Sequence, residues 1–340
     1  MKINDYQKIK NYLKKNKFNW LVTGVAGFIG SNLLEELLSL NQKVTGIDDL
    51  SNGFVKNLSD VKKNVSNKQW RNFKFIKGNL ADINSCKKVM NKSVDFVLHQ
   101  AARGSVLKSI LDPIKTNNSN VIGFLNMLYL SKEHKIKSFV YASSSAVYGD
   151  SKFLPKKETK VGNLLSNYAL TKKINENYAE LFFKQYNFKT VGLRYFNVFG
   201  KRQDPNGDYA AVIPRWIRKA INAKTIVIFG DGKTSRDFTH VSNVVQANIL
   251  SALTKLPVKN HIFNTGTGCR ITLNKLILTI YKILKIKKFQ QKIKYQSFRQ
   301  GDIRHSLASI ENIKKKLGYQ VGINFKDSLK LTIDYYSNKK

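Results

Sequence analysis

The chain has 340 residues, enough to bury a full core in one large or two smaller domains, and its 42% hydrophobic content excludes a disordered polypeptide. No apolar run reaches the ~18 residues of a membrane span. The formal charge of +37 is almost all lysine spread from end to end, and no basic cluster is interleaved with stacking aromatics. The charge therefore reads as solvated surface that attracts anionic substrates, not as a specific nucleic-acid site.

Residues 1–19 are rich in Lys and Asn, with Ile9, Tyr12, Leu13 and Phe18 scattered among them. They match neither a signal peptide nor a membrane helix, and predict a short helix on the outside of the following domain. Trp20-Leu21-Val22-Thr23 reads as a buried strand. It runs into Gly24-Val25-Ala26-Gly27-Phe28-Ile29-Gly30 and then a helix marked by Leu33, Leu34, Leu37 and Leu38. In such a turn Gly24 lets the chain leave the strand sharply. Gly27 lets backbone N–H groups approach a pyrophosphate, and Gly30 lets helix and strand pack closely. A second strand, Lys43 to Ile47, ends in Asp48-Asp49, near the offset at which an acid grips an adenosine ribose. A carboxylate there repels a 2′-phosphate, so the cofactor is expected to be NAD and not NADP.

Further strands are expected at Phe73 to Lys77, Asp95 to His99, Ser138 to Ala142 and Lys189 to Arg194. Helices are expected at Ile83 to Met90, Asn117 to Glu133 and Asn167 to Tyr186. Strands alternating with helices predict an α/β fold, a doubly wound parallel sheet with ligands at the carboxyl ends of its strands. Beyond residue 194 the pattern loosens, with helices expected at Ile213 to Asn222 and Leu273 to Leu284. The expected division is a helical extension over 1–19 and a Rossmann domain over 20–193, with 238–262 returning to it. A smaller C-terminal substrate lobe would comprise 194–237 and 263–340. Cys86 and Cys269 lie far apart and outside any metal-ligand spacing; they fit a cytoplasmic protein without a metal.

The chemistry is expected at Ser143-Ser144-Ser145, just past the fifth strand, and at Tyr168-Ala169-Leu170-Thr171-Lys172 on the next helix. Tyr and Lys at i, i+4 share a helix face. An ammonium, an oxidised nicotinamide and a serine hydroxyl together would lower a phenol toward neutrality, which needs about 4 kcal/mol. The product is a base suited to a sugar hydroxyl. The Tyr-x-x-x-Lys spacing recurs five times elsewhere in this lysine-rich chain. Only Tyr168 opens a helix directly after a serine-lined strand end.

Jointly, Thr23-Gly24-x-x-Gly27-x-x-Gly30, Gln100-Ala101-Ala102, the three serines, Tyr168-x-x-x-Lys172 and Arg194-Tyr195-Phe196-Asn197 resemble the extended short-chain dehydrogenase/reductase superfamily. Within it the chain is similar to UDP-hexose 4-epimerases, above all the bacterial UDP-N-acetylglucosamine 4-epimerase group. That resemblance adds Gln203-Asp204-Pro205-Asn206-Gly207 and Arg299-x-Gly301-Asp302-x-Arg304-His305-Ser306, and covers nearly the whole chain.

The resemblance implies Tyr168 as catalytic base, Lys172 as its electrostatic partner and ribose anchor, and Ser144 as the hydroxyl on the sugar oxygen. The register of the serines is open by one, so Ser143 and Ser145 remain candidates. Cofactor contacts are implied for Gly24, Gly27, Phe28, Ile29, Gly30, Asp48, Asn79, Leu80, Gln100, Ala101, Ala102, Asn120 and Tyr195. Substrate contacts are implied for Gly104, Ser105, Ser145, Asn197, Phe229, Arg236, Arg299, Asp302 and Ser306. Arg236 and Arg299 would fork onto the UDP phosphates, and Asp302 would hold the uridine ribose. Asn79 stands where the family usually has Asp. Arg103 stands where the related N-acetyl epimerases carry an apolar residue, and an added cation there points toward an acidic sugar or a phosphate. Ser306 leaves room for an N-acetyl group where a tyrosine fills the pocket in plain UDP-galactose epimerases, which implies preference rather than exclusion.

The implied reaction is C4 epimerisation of UDP-N-acetylglucosamine through a 4-keto sugar. UDP-N-acetylglucosaminuronate and UDP-glucose are the alternative substrates. A 4,6-dehydratase is disfavoured because Ser145-Ala146-Val147 supplies no acid pair, and a non-enzymatic scaffold because Ser144, Tyr168 and Lys172 are all present. Related enzymes are often homodimers through a helix pair, and no nucleic-acid or membrane partner is expected.

Overall fold

A computed structural model describes residues 6–206, 210–257, 260–286, 293–298 and 303–338. Its central sheet has seven strands: β1 (Asn19–Thr23), β2 (Lys43–Asp48), β3 (Phe73–Lys77), β4 (Phe96–His99), β5 (Ser138–Ser144), β6 (Thr190–Tyr195) and β7 (Asn260–Thr265). Side by side they run β3-β2-β1-β4-β5-β6-β7, and every neighbouring pair is parallel. The fold is the expected doubly wound α/β sheet. Successive side chains of a strand point to opposite faces, so Leu21, Val97, Phe139 and Tyr141 enter one apolar cluster. Val22, Leu98 and Val140 enter the other.

The chain winds outward from β1 through β2 to β3, then crosses back to β4 and winds the other way. That reversal leaves a crevice at the carboxyl ends of β1 and β4, where open α/β sheets bind ligands. Thr23 and His99 lie side by side there. The Thr23 hydroxyl contacts His99 Nδ1 at 3.1 Å and accepts the Gln100 and Ala101 N–H groups at 3.1 and 3.2 Å. The strand ends are therefore tied together before any ligand arrives.

The first helix, Tyr6–Lys15, buries Ile9 and Leu13 in the first cluster, as its two apolar positions predict. Gln42 holds it by donating to Leu13 O at 2.8 Å. The helix expected from Asn117 to Glu133 differs in detail: an α-turn over Pro113–Asn117 passes into a π-turn over Asn118–Ile122 and then α-helix over Gly123–Glu133. The π-turn rotates Asn120 inward, to 1% exposure.

A third cluster sits apart from the sheet and includes Phe199, Trp216, Ile217, Ile228, Ile280 and Leu329. It draws on the helices Val212–Ile221, Leu273–Ile283 and Phe325–Ser337. The later segment does not all join it: Ala308, Ile310, Ile313, Leu317 and Tyr319 belong to the first cluster, against the sheet.

Candidate active site

The glycine turn has no slack. Gly24 has φ +65°, and a Cβ there would lie 2.8 Å from Ala101 Cα. A Cβ on Gly30 would lie 2.1 Å from Gly24 O, inside any contact distance, whereas one on Gly27 would lie 3.1 Å from it. The helix Phe28–Ser39 begins at Gly27 without a side-chain cap, so its first-turn N–H groups are left for a ligand. Asp48 is 7% exposed. It accepts from Ala26 N at 3.0 Å and Leu50 N at 2.8 Å, one bond on each oxygen. Burial raises its carboxyl pKa, and those backbone bonds partly offset the shift. Each oxygen keeps an acceptor position for a ribose hydroxyl, so the uncapped turn and this acid fit NAD.

From this turn a cleft of about 800 Å³ runs across the strand ends. Tyr168 and Lys172 reach it from the helix Asn167–Tyr186, whose N-cap Ser166 accepts from Ala169 N at 3.1 Å. Ser144 ends β5, and its hydroxyl accepts from Ala146 N at 3.1 Å. Ser144 and Tyr168 line the same cleft, and the serine hydroxyl acts on the phenol by lowering its pKa. Ser143 instead donates to Glu176 at 2.6 Å, in a buried pair with Arg194 whose two contacts are both 2.8 Å. Of the two, Ser144 and not Ser143 faces the phenol.

Lys172 is 2% exposed and donates to Ala142 O at 2.7 Å. Burial lowers its pKa to about 8. Tyr168 moves the other way: burial raises the phenol pKa and the Ser144 hydroxyl offsets only part. The phenol is therefore neutral in the ligand-free protein. Its ionisation depends on the positive charge gathered when the site fills.

Every expected site residue that is described lines this cleft except Ser105, Asn120 and Phe229. Ser105 caps the helix Val106–Leu111 by accepting from Lys108 N at 3.2 Å. Asn120 faces the loop beneath: it accepts from Arg103 N at 2.7 Å and donates to Arg103 O at 3.3 Å and to Thr171 Oγ1 at 3.0 Å. Its amide is consumed in holding that loop to the helix Asn167–Tyr186. Phe229 lies on a neighbouring depression with Pro205, Asn206 and Trp216. Arg299 and Asp302 lie outside the described residues.

The amide oxygen of Asn79 already accepts from Ala81 N at 2.9 Å and keeps one further acceptor position. Gln100 and Tyr195 form a closed set with Asn248: Tyr195 donates to Gln100 at 2.9 Å, Gln100 to Asn248 at 3.0 Å, and Asn248 to Tyr195 at 2.8 Å. Burial raises the Tyr195 phenol pKa. Arg236 reaches the cleft while donating to Ser235 O at 3.1 Å. Ser306 is held by its N–H to Ser235 O at 3.0 Å.

Asn248, Lys156, Gln203 and Ala211 were not marked as site residues by sequence reasoning. The last three line the cleft. Lys156, 3% exposed, bridges to Ala308. All three come from irregular segments, and only Gln203 belongs to a motif, Gln203-Asp204-Pro205-Asn206-Gly207.

Comparison with known proteins agrees with this geometry. Residues 20–266 match the model of the NAD dependent epimerase/dehydratase family. The UDP-glucuronate 4-epimerase of Thermodesulfobacterium geofontis is 33% identical, covering 93% of this chain and 95% of that protein. Two solved structures superpose over almost the whole chain. The UDP-N-acetylglucosamine 4-epimerase of Methanobrevibacter ruminantium M1, in complex with UDP-N-acetylmuramic acid, is 36% identical with a TM-score of 0.87, covering 96% of this chain and 100% of that one. The UDP-glucose 4-epimerase of Thermotoga maritima, with UDP-glucose, is 33% identical with a TM-score of 0.86, covering 95% and 99%. With its uncapped glycine turn, the buried Asp48 beside it and a Ser144–Tyr168–Lys172 group in one cleft, the chain belongs to the NAD dependent epimerase/dehydratase family of the extended short-chain dehydrogenases/reductases.

Proposed function

We propose that the protein is a UDP-sugar 4-epimerase that acts preferentially on UDP-N-acetylglucosamine and UDP-N-acetylgalactosamine. The observation that carries this reading is the gathering of Ser144, Tyr168 and buried Lys172 on the wall of the cleft that begins at the dinucleotide turn. Bound NAD supplies the acceptor for a hydride from C4 and the donor that returns it. Tyr168 takes the C4 hydroxyl proton and gives it back on the other face. Ser144 fixes that hydroxyl, and the Lys172 ammonium favours the phenolate.

The N-acetyl preference rests on Ser306, which lines the cleft with a small side chain. Family likeness alone does not choose among hexose, N-acetylhexosamine and uronate. The partner proposed for the chain is a second copy of itself. Ile110, Leu111 and Ile114 are 56 to 74% exposed, and Leu170 is 47% exposed. They sit on the mutually packed helices Val106–Leu111, Pro113–Asn117 and Asn167–Tyr186, an apolar face of the kind that marks a protein contact.

The test is incubation with UDP-N-acetylglucosamine, UDP-glucose and UDP-N-acetylglucosaminuronate, with products resolved by NMR. C4 interconversion without added NAD is expected, fastest on an N-acetylated sugar. Tyr168→Phe should lose roughly 10³-fold in kcat while keeping its cofactor. Full turnover in that variant removes the base assignment.

A further inference from the structure

Arg103 is a cation that the proposed reaction does not use. It lines the cleft directly after Gln100-Ala101-Ala102 and before Gly104, where an added Cβ would meet nothing within 4 Å. Its side chain is only 14% exposed, and its Nε is buried with no hydrogen-bond partner among the described residues. The one ion pair it makes among them is to Asp112, at 3.8 Å, the outer edge of pairing. That carboxylate is also engaged in capping the next helix through Lys115 N at 3.0 Å. A largely covered guanidinium this poorly paired is costly unless a ligand completes it.

Its position is also held. Asn120 grips both the N–H and the carbonyl of Arg103 and binds Thr171, whose hydroxyl donates to Tyr168 O at 2.8 Å. Ser109, on the helix that follows the Arg103 loop, accepts from Tyr168 N at 3.0 Å. The loop carrying Arg103 is thus tied from two directions to the residue that meets the sugar at C4. A guanidinium offers five donors in a planar fork matched to carboxylate.

Resting on the epimerase reading above, the geometry points to Arg103 as a specificity-determining residue. It releases Asp112 and pairs with a carboxylate carried by the sugar of the UDP-linked substrate, so that the site takes carboxylated N-acetylhexosamines as well as the neutral parent.

The experiment measures kcat/KM for UDP-N-acetylglucosamine and for UDP-N-acetylglucosaminuronate in the native enzyme, Arg103→Met and Asp112→Asn, together with bound NAD. The native enzyme is expected to turn over both sugars. Arg103→Met should lose about 30-fold more on the carboxylated sugar than on the neutral one, mainly through KM. Asp112→Asn, by freeing the guanidinium, should shift the ratio toward the carboxylated sugar. Equal losses on both sugars, or loss of bound NAD, would overturn the inference by making Arg103 a cofactor or phosphate ligand. So would failure of the native enzyme on the carboxylated sugar while the neutral one reacts. Inactivity on every UDP-sugar would instead defeat the epimerase reading itself.

Discussion

Two ionisable groups at the centre of the site are pushed in opposite directions by the same burial. Desolvation raises the Tyr168 phenol and lowers the Lys172 ammonium, to about 8. Both shifts favour neutral groups, yet the proposed chemistry wants both charged. Holding Lys172 in a 2% exposed position is therefore a stability cost retained for function. Its folded pKa lies below the unfolded value, so between about pH 8 and 10.5 the unfolded state binds more protons. Stability from this group then rises with pH across that window, and the penalty is complete below it. Its size is on the order of 3 kcal/mol. Chemical denaturation of the native protein and Lys172→Met at pH 7 and pH 10 checks this. The native protein should gain relative to the variant on going to pH 10, and equal pH dependence in the two would show that the ammonium is not desolvated. Tyr168, Lys172 and Ser144 were legible because their order along the chain is the order of the strand end and helix that carry them. Ser105 and Asn120 stand off the cleft wall, and the sequence could not show it for a physical reason: a hydroxyl that caps a helix and an amide that braces a loop are the same residue types as ones that touch a sugar.

Among the elements, the glycine turn shows how much a motif leaves unsaid. Its three glycines look equivalent in sequence, but the space around them is not. A methyl group on Gly30 would meet Gly24 O at 2.1 Å, and the whole helix Phe28–Ser39 would have to move off β1. One on Gly27 meets the same oxygen at 3.1 Å and asks for a few tenths of an ångström. Gly30→Ala is expected to destabilise the fold by about 3 kcal/mol or more. Gly27→Ala should fold, lose under about 1 kcal/mol, and show its defect as weakened NAD retention. Thermal melts with cofactor quantified in the purified proteins separate the two, and matching behaviour would mean that the turn has more play than its packing indicates. Other elements were legible wherever a cap and a period coincide. The helix Asn167–Tyr186 runs from the Ser166 cap to Asn187 in the left-handed region, with the limits its pattern predicts. The π-turn over Asn118–Ile122 has no such signal, because one extra residue in a turn leaves hydrophobic spacing nearly unchanged. Two-residue strands such as Ser235–Arg236 and Ile271–Thr272 are too short to show alternation at all.

For the whole molecule, 59 basic residues face only 22 acidic ones, and several of the scarce carboxylates neutralise buried arginines. Glu176 is spent on Arg194, while Glu35 and Asp60 hold the fully buried Arg202 side chain at 2.6 and 3.2 Å. That last group binds the loop after β6, which carries Gln203 into the cleft, to the helix that opens the dinucleotide turn. With acids withdrawn to such sites, most surface lysines among the described residues have no ion-pair partner and repel one another. Salt then has two opposite effects. Screening at 0.3 M, well inside the ~10 Å Debye length of 0.1 M, relieves the repulsion and should raise the melting temperature by about 3 °C over 20 mM. The same screening removes the long-range attraction of a UDP-sugar, so kcat/KM should fall roughly threefold while kcat holds. Both effects are read in one NaCl series by melting and initial rates. A melting temperature that falls, or a kcat/KM that ignores salt, would place the excess charge in local pairs and not in a field over the whole surface.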